Sequence, residues 1–261
     1  MIPFSSQILE SIEFAAELLR EARHAIVLTG AGLSTPSGIP DFRSEGKGLW
    51  SHDEPLEAAS LLTFRTRPEQ FFKWFRPLAR QIFEAQPNPA HLALAKLEAS
   101  GWLHGVLTQN IDMLHHKAGS QKVYELHGTL RTLSCTQCYR KYGYEIYLPA
   151  FIENGTIPHC PVCSAILKPD VILFGEQLPQ KVLSAAQREA RECDLIIVIG
   201  SSLEVLPVAG FPMLAIDRGA HLIIINNSPT YLNVRADIVL PEDVARIIPA
   251  IAERVLDADQ R

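Results

Sequence analysis

At 261 residues, the chain has room for one large α/β domain, or for one such domain with a small satellite, and two equal domains are disfavoured. A hydrophobic content of 47% with 20% charged residues is that of an ordinary globular protein and excludes a disordered or fibrous chain. The formal net charge is only −5, with Lys and Arg scattered rather than blocked, which excludes nucleic-acid binding by bulk charge.

The chain opens on MIPFSSQILESIEFAAELLREARH, in which acidic residues interrupt an amphipathic pattern, and it lacks the basic and apolar regions of a signal peptide. Ile8, Leu9, Ile12, Ala15, Ala16 and Leu19 predict a helix over 6–23. No apolar run reaches the roughly 20 residues that span a bilayer, so a cytoplasmic protein without membrane contact is expected. Short apolar runs follow at 25–29, 103–108, 171–174, 195–200, 222–226 and 237–240, and their lack of alternation predicts strands buried on both faces of a parallel sheet. Helical patterns lie between them at 89–99, at 179–192 opened by Pro179, and at 243–256. Strands alternating with helices predict a Rossmann-like, doubly wound α/β fold. The stretch 128–168 breaks this rhythm, being rich in Cys, Tyr, Pro and Gly. The expected plan is therefore one domain over 1–261, with a large part at 1–127 and 169–261, a helical insertion at about 44–80, and a small inserted module at about 128–168.

Four of the five cysteines form two C-x-x-C pairs, Cys135 with Cys138 and Cys160 with Cys163, separated by 21 residues. That spacing is close to that of zinc ribbons, in which two thiolate-bearing turns close a tetrahedral site. Four thiolates leave no open position for water or substrate, so a structural zinc is expected and a catalytic one is not. A redox role would need only one pair. Cys193 follows a helix and precedes a buried strand, and reads as a small core residue.

After the first strand the chain reads GAGLSTPSGIPDFR (30–43). Glycines here let backbone approach a pyrophosphate at the carboxyl edge of a sheet. The full dinucleotide fingerprint is missing, and no acidic residue ends a second strand about 20 residues on, so a hydride-transfer dehydrogenase fits badly. Gly200, Ser201, Ser202 and Asn226 supply further polar groups at strand ends, as does the run 108–112, Thr-Gln-Asn-Ile-Asp. His127 stands at the entry to the small module, where a lone histidine is more often structural than catalytic. His115 and His116 are adjacent and cannot share a helix face as metal ligands, so they read as surface or local hydrogen-bonding residues. Ser34 and Ser37 lack the strand-to-helix elbow of a serine hydrolase.

GAGLSTPSGIPDFR, TQNID (108–112), LHG (126–128), the two C-x-x-C pairs, KPDVILFGE (168–176), GSSLEV (200–205) and IN (225–226), in this order, resemble the sirtuin family of NAD-dependent protein deacylases over nearly the whole chain. The short tails resemble its minimal bacterial and archaeal type. The resemblance implies that Gly30, Ala31, Gly32, Thr35, Asp41, Phe42 and Arg43 line the NAD pocket. Gln109, Ile111 and Asp112 would surround the ribose and nicotinamide, and Gly200, Ser201, Ser202, Asn226, Asp243 and Val244 would hold the phosphates and adenosine. His127 matches the family's general base, and Asn110 a polar residue that supports catalysis. Val171, Phe174, Gly175 and Glu176 match a segment that pairs with an extended substrate peptide. The implied activity is removal of an acetyl group from protein lysine, giving nicotinamide and O-acetyl-ADP-ribose. Mono-ADP-ribosyl transfer from the same NAD site is the alternative, and a silent NAD-sensing module a third reading.

Two departures are conservative: GSS where many relatives carry Thr after Gly, and Lys-Pro where they carry Arg-Pro. A third bears on specificity. Phe72 and Phe75 stand where relatives specialised for acidic acyl groups carry a Tyr-x-x-Arg pair, so neutral acyl groups are expected. The same aromatics equally suit a plain helix-face core.

Overall fold

The computed structural model describes residues 3–41 and 55–258. Its frame is a six-stranded parallel sheet and a separate three-stranded antiparallel sheet. The parallel sheet is built from β1 (Ala25–Thr29), β2 (Gly105–Thr108), β3 (Val123–Glu125), β7 (Leu195–Ile199), β8 (His221–Ile225) and β9 (Ile238–Leu240), in the order β3-β2-β1-β7-β8-β9. The small sheet holds β4 (Gly128–Cys135), β5 (Lys141–Gly143) and β6 (Leu167–Val171), in the order β5-β4-β6.

The apolar runs form central strands because both of their faces are covered. Every residue of β1, β2 and β7 is buried. Ala25, Val27, Ile197 and Ile223 pack under α1 (Ser6–Glu21), α5 (Pro89–Ala99) and α10 (Val244–Ala258). The alternate residues Ile26, Leu28, Ile196 and Ile224 pack under α8 (Gln180–Glu192) and α9 (Phe211–Ile216). Each of these Val, Leu and Ile side chains stabilises the fold by about 1.5–3 kcal/mol relative to exposure. The helices begin where the chemistry permits: Ser5 caps α1 by accepting the Ile8 N–H at 3.3 Å, and Asn88 caps α5 by accepting the Ala90 N–H at 3.0 Å.

A third core joins the helical insertion to the small sheet. Here α2 (Pro55–Ala58), α3 (Leu61–Thr66) and α4 (Pro68–Glu84) precede α5, and α6 (Leu114–Ala118) and α7 (Leu148–Asn154) follow it. Phe64, Phe71, Phe72 and Phe75 pack with Phe151 of α7, Leu130 of β4 and Val171 of β6. Phe72 and Phe75 are 2% and 4% exposed, so both are members of this core.

The expected strand at 171–174 is not in the parallel sheet. Residue 171 ends β6, which alternates buried and half-buried positions and pairs only with β4. Pro169 explains the difference, since a residue without an N–H is tolerated on an edge strand and excluded from a central one. The short β3 and the seven-residue α7 escape the sequence pattern because neither is long enough to show a period.

Candidate functional site

The order β3-β2-β1-β7-β8-β9 reverses direction between β1 and β7. A doubly wound sheet binds its ligand at that reversal, beyond the carboxyl ends of the strands. The loops leaving β1 and β7 meet there: the Gly30 N–H donates to Ile199 O at 3.0 Å and the Gly32 N–H to Gly200 O at 2.9 Å. A Cβ on Gly30 would stand 2.7 Å from Gly200 O, and one on Gly32 2.8 Å from Gly200 Cα. Gly200 itself has φ +60° and would drive a Cβ into the Leu33 amide nitrogen. Only glycine permits this approach, which leaves a floor of bare backbone suited to phosphate groups.

The wall of this crevice is the run after β2. The Asn110 Nδ2 donates to Gly30 O at 3.0 Å and to Ser34 Oγ at 3.2 Å, and Ser34 Oγ–H donates to Asp112 Oδ2 at 2.6 Å. Asp112 Oδ1 accepts the Leu114 N–H at 2.9 Å. Burial raises the Asp112 pKa, and these two hydrogen bonds oppose the rise. Gln109 reaches across to β7, its Nε2 donating to Ser201 Oγ at 2.9 Å. Ile111 is half-buried beside the third core.

His127 sits between β3 and β4, with Nδ1 3.0 Å from Gln109 O. A carbonyl only accepts, so Nδ1 carries the proton and Nε2 is left with the lone pair. Burial lowers the pKa, outweighing the Gln109 carbonyl that raises it. The Ile172 N–H donates to His127 O at 2.8 Å, the Phe174 N–H to Ala59 O at 3.0 Å, and Phe174 O accepts the Leu61 N–H at 2.9 Å. The segment with Val171, Phe174, Gly175 and Glu176 therefore lies directly against the backbone of His127 and against the helical insertion.

The four cysteines converge at the far end of the small sheet, with all their sulfur atoms within 4.8 Å of one another. Cys135 and Cys163 sulfurs are 3.4 Å apart and Cys138 and Cys160 sulfurs 3.7 Å. Tetrahedral zinc with bonds of about 2.3 Å would set such edges near 3.8 Å. The two C-x-x-C turns have the same backbone. The Cys135 N–H donates to Arg140 O and the Cys160 N–H to Ala165 O, while Tyr139 and Ser164 N–H donate back to Cys135 O and Cys160 O. Tyr139 and Ser164 each follow a pair in the left-handed region, at φ 60°. This donor set is closed and fits one zinc ion.

Other sequence-predicted positions divide. Ala31 is half-buried and Thr35 exposed on the glycine loop, and Thr35 Oγ1 donates to Gly32 O at 3.1 Å. Asn226 stands at the end of β8, its N–H on Leu240 O at 3.2 Å. Asp243 caps α10 by accepting the Ala245 N–H at 2.9 Å, with Val244 buried behind it. Asp41 and Ser202 lie within the described residues, whereas Phe42 and Arg43 lie outside them. His115 is not a surface residue. It is 2% exposed, and its Nε2 lies 3.0 Å from Thr29 Oγ1, which donates to Thr108 Oγ1 at 2.8 Å. That buried chain supports Asn110, whose N–H donates to Thr108 Oγ1 at 3.0 Å. Sequence reasoning gives Ser34, Thr29 and Thr108 no part in this hydrogen-bond network. Their partners lie about 80 residues away, and no local signal marks them.

A glycine-floored crevice at the reversal of a doubly wound sheet, next to a histidine and a four-cysteine module, defines a nucleotide-binding α/β protein with a structural metal site. Residues 30–207 match the Sir2 family. An NAD-dependent protein deacylase 2 of Archaeoglobus fulgidus is 44% identical over 247 residues, 94% of this chain and 96% of that protein. An NAD-dependent protein deacetylase 2 of Caldanaerobacter subterraneus is 44% identical over 87% of this chain and 89% of that protein. A Sir2 variant solved with deacetylated p53 peptide and 3′-O-acetyl-ADP-ribose is 36% identical, with a TM-score of 0.85 over 95% of this chain and 98% of that one. This chain belongs to the Sir2 family.

Proposed function

We propose that this protein is an NAD-dependent protein-lysine deacetylase, acting on acetyl-lysine in protein or peptide substrates. The observation that carries the proposal is the convergence of the Gly30–Gly32–Gly200 floor, the Asn110–Ser34–Asp112 wall and His127 on one crevice. NAD, when bound, supplies an electrophilic C1′ with nicotinamide as leaving group.

In this reading Gly30, Ala31, Gly32, Thr35, Gly200, Ser201 and Ser202 hold the phosphates and riboses, with Asn226, Asp243 and Val244 toward the adenosine and Asp41 near the loop. Asn110, Ile111 and Asp112 bind around the nicotinamide ribose, Asp112 facing the carboxamide. Ser34 and Gln109 fix Asp112 and His127 by the hydrogen bonds given above. His127, protonated at Nδ1, accepts a ribose hydroxyl proton at Nε2. The pKa lowered by burial keeps the ring neutral at physiological pH and able to accept it. Zinc holds the small sheet beside the crevice and takes no part in bond making.

The acyl group proposed is neutral. At the two positions where relatives specialised for acidic acyl groups carry Tyr and Arg, this chain has Phe72 and Phe75. An acidic acyl chain would find no cation there. We further propose a cytoplasmic enzyme that uses neither nucleic acid nor membrane. The thiol-rich metal site suits a reducing compartment, and no helix among the described residues is long and apolar enough to cross a membrane. A panel of acetyl, propionyl and succinyl peptides tests the reading by nicotinamide release. Acetyl turnover at least ~10-fold above succinyl is expected, and preferred succinyl turnover contradicts it.

A further inference from the structure

Lys168 spends its ammonium on its own chain. Its Nζ lies 3.0 Å from Pro169 O and 2.8 Å from Val171 O, and 3.0 Å from Glu176 Oε2. An ammonium has three donors, and these three acceptors account for them. Glu176 Oε2 accepts a second hydrogen bond, from the Leu173 N–H at 2.8 Å. The two side chains are 15% and 19% exposed, so the pair is largely shielded from water and from salt. The Glu176 N–H closes the turn onto Leu173 O at 2.9 Å. Residues 168–176 thus form a ring, closed at one end by backbone and at the other by the ion pair.

The ring has two outward attachments. Ile172 binds the carbonyl of His127, and Phe174 pairs with residues 59 and 61 of the insertion. Whatever fixes the ring fixes the distance between the His127 backbone and the insertion. We propose that Lys168 and Glu176 are positioning residues that clamp this segment through Glu176 Oε2, which is engaged by both Lys168 and the Leu173 N–H, and that Glu176 serves this clamp rather than recognition of a basic residue of the substrate. No charge preference for the substrate peptide is then set at Glu176. The inference rests on the reading of Val171–Glu176 as the peptide segment.

Two measurements decide it on the full-length zinc protein. The first is amide hydrogen exchange of Lys168→Met and Lys168→Arg against wild type, with zinc content and thermal midpoint measured alongside. At least ~10-fold faster exchange at Leu173 and Glu176 in Lys168→Met, with Lys168→Arg close to wild type, supports the clamp. Unchanged exchange in Lys168→Met overturns it. The second is steady-state kinetics of Glu176→Gln on acetyl peptides with a Lys, an Ala or an Asp beside the acetyl-lysine. The clamp predicts that KM rises by the same factor for all three peptides while KM for NAD stays within ~2-fold. Loss confined to the Lys-flanked peptide makes Glu176 a recognition residue and overturns the proposal. If wild type turned over no acyl peptide, the deacetylase reading would fall, and the exchange experiment would still decide the clamp.

Discussion

His127 is half of a pair whose other half is a backbone carbonyl, and that pairing decides its chemistry. The Gln109 carbonyl fixes the proton on Nδ1 at 3.0 Å, which leaves Nε2 basic without help from a carboxylate. His127→Ala should lower the rate of acetyl-lysine turnover by about 10²–10⁴-fold while NAD protection against thermal unfolding persists. As the proposed base, His127 would work as the neutral ring, and burial lowers its pKa from 6.5. The rate should therefore fall on acidification with its inflection below pH 6.5 and be flat above physiological pH, as a pH profile of kcat would record; an inflection well above pH 7 would contradict this assignment. Sequence alone names His127, Asn110 and Asp112 through the family resemblance. It leaves Ser34 with only a rejected role as nucleophile, because the 2.6 Å bond to Asp112 closes across 78 residues. It also misjudges His115, since adjacency to His116 says nothing about which of the two faces the sheet.

At the scale of single elements, the loops around the crevice and the metal turns place opposite demands on the left-handed region. Gly200 has φ +60° and no room for a Cβ against the Leu33 amide. Gly200→Ala should destabilise the protein by roughly 2 kcal/mol or more and abolish NAD binding, measured as the loss of an NAD-induced rise in Tm. Tyr139 adopts nearly the same φ of 60° but carries a side chain that is 80% exposed. Its strain serves only the turn behind Cys138, so Tyr139→Gly should keep zinc and leave stability unchanged or raise it by up to ~1 kcal/mol. A drop in Tm with loss of zinc would show that the tyrosine ring, and not the backbone, holds the turn. The parallel strands are legible because their runs are apolar throughout. The segment 171–174 misleads for the same reason: its apolar residues serve the third core, while Pro169 directs β6 to the edge of the smaller sheet.

The molecule as a whole is two sheets held together by an aromatic core, and its two sheets differ in what holds them. The parallel sheet is covered on both faces by helices. Around its cysteines, among the described residues, the small sheet packs on Leu133, Leu167 and two of the cysteines, with half-buried neighbours, apart from the third core on which Leu130 and Val171 rest. So small a core is not self-sufficient without its metal. Chelation should unfold the small sheet, release Phe151 and Leu130 from the third core and abolish turnover, with the parallel sheet retained by circular dichroism. Metal-free protein that kept both its small-sheet amide protection and its turnover would contradict a structural zinc. The most direct test of the central claim is mass spectrometry of the products from NAD and an acetyl-lysine peptide. Equimolar deacetylated peptide, nicotinamide and O-acetyl-ADP-ribose are predicted. Free acetate without NAD consumption, or ADP-ribose attached to protein in place of the O-acetyl product, would contradict it.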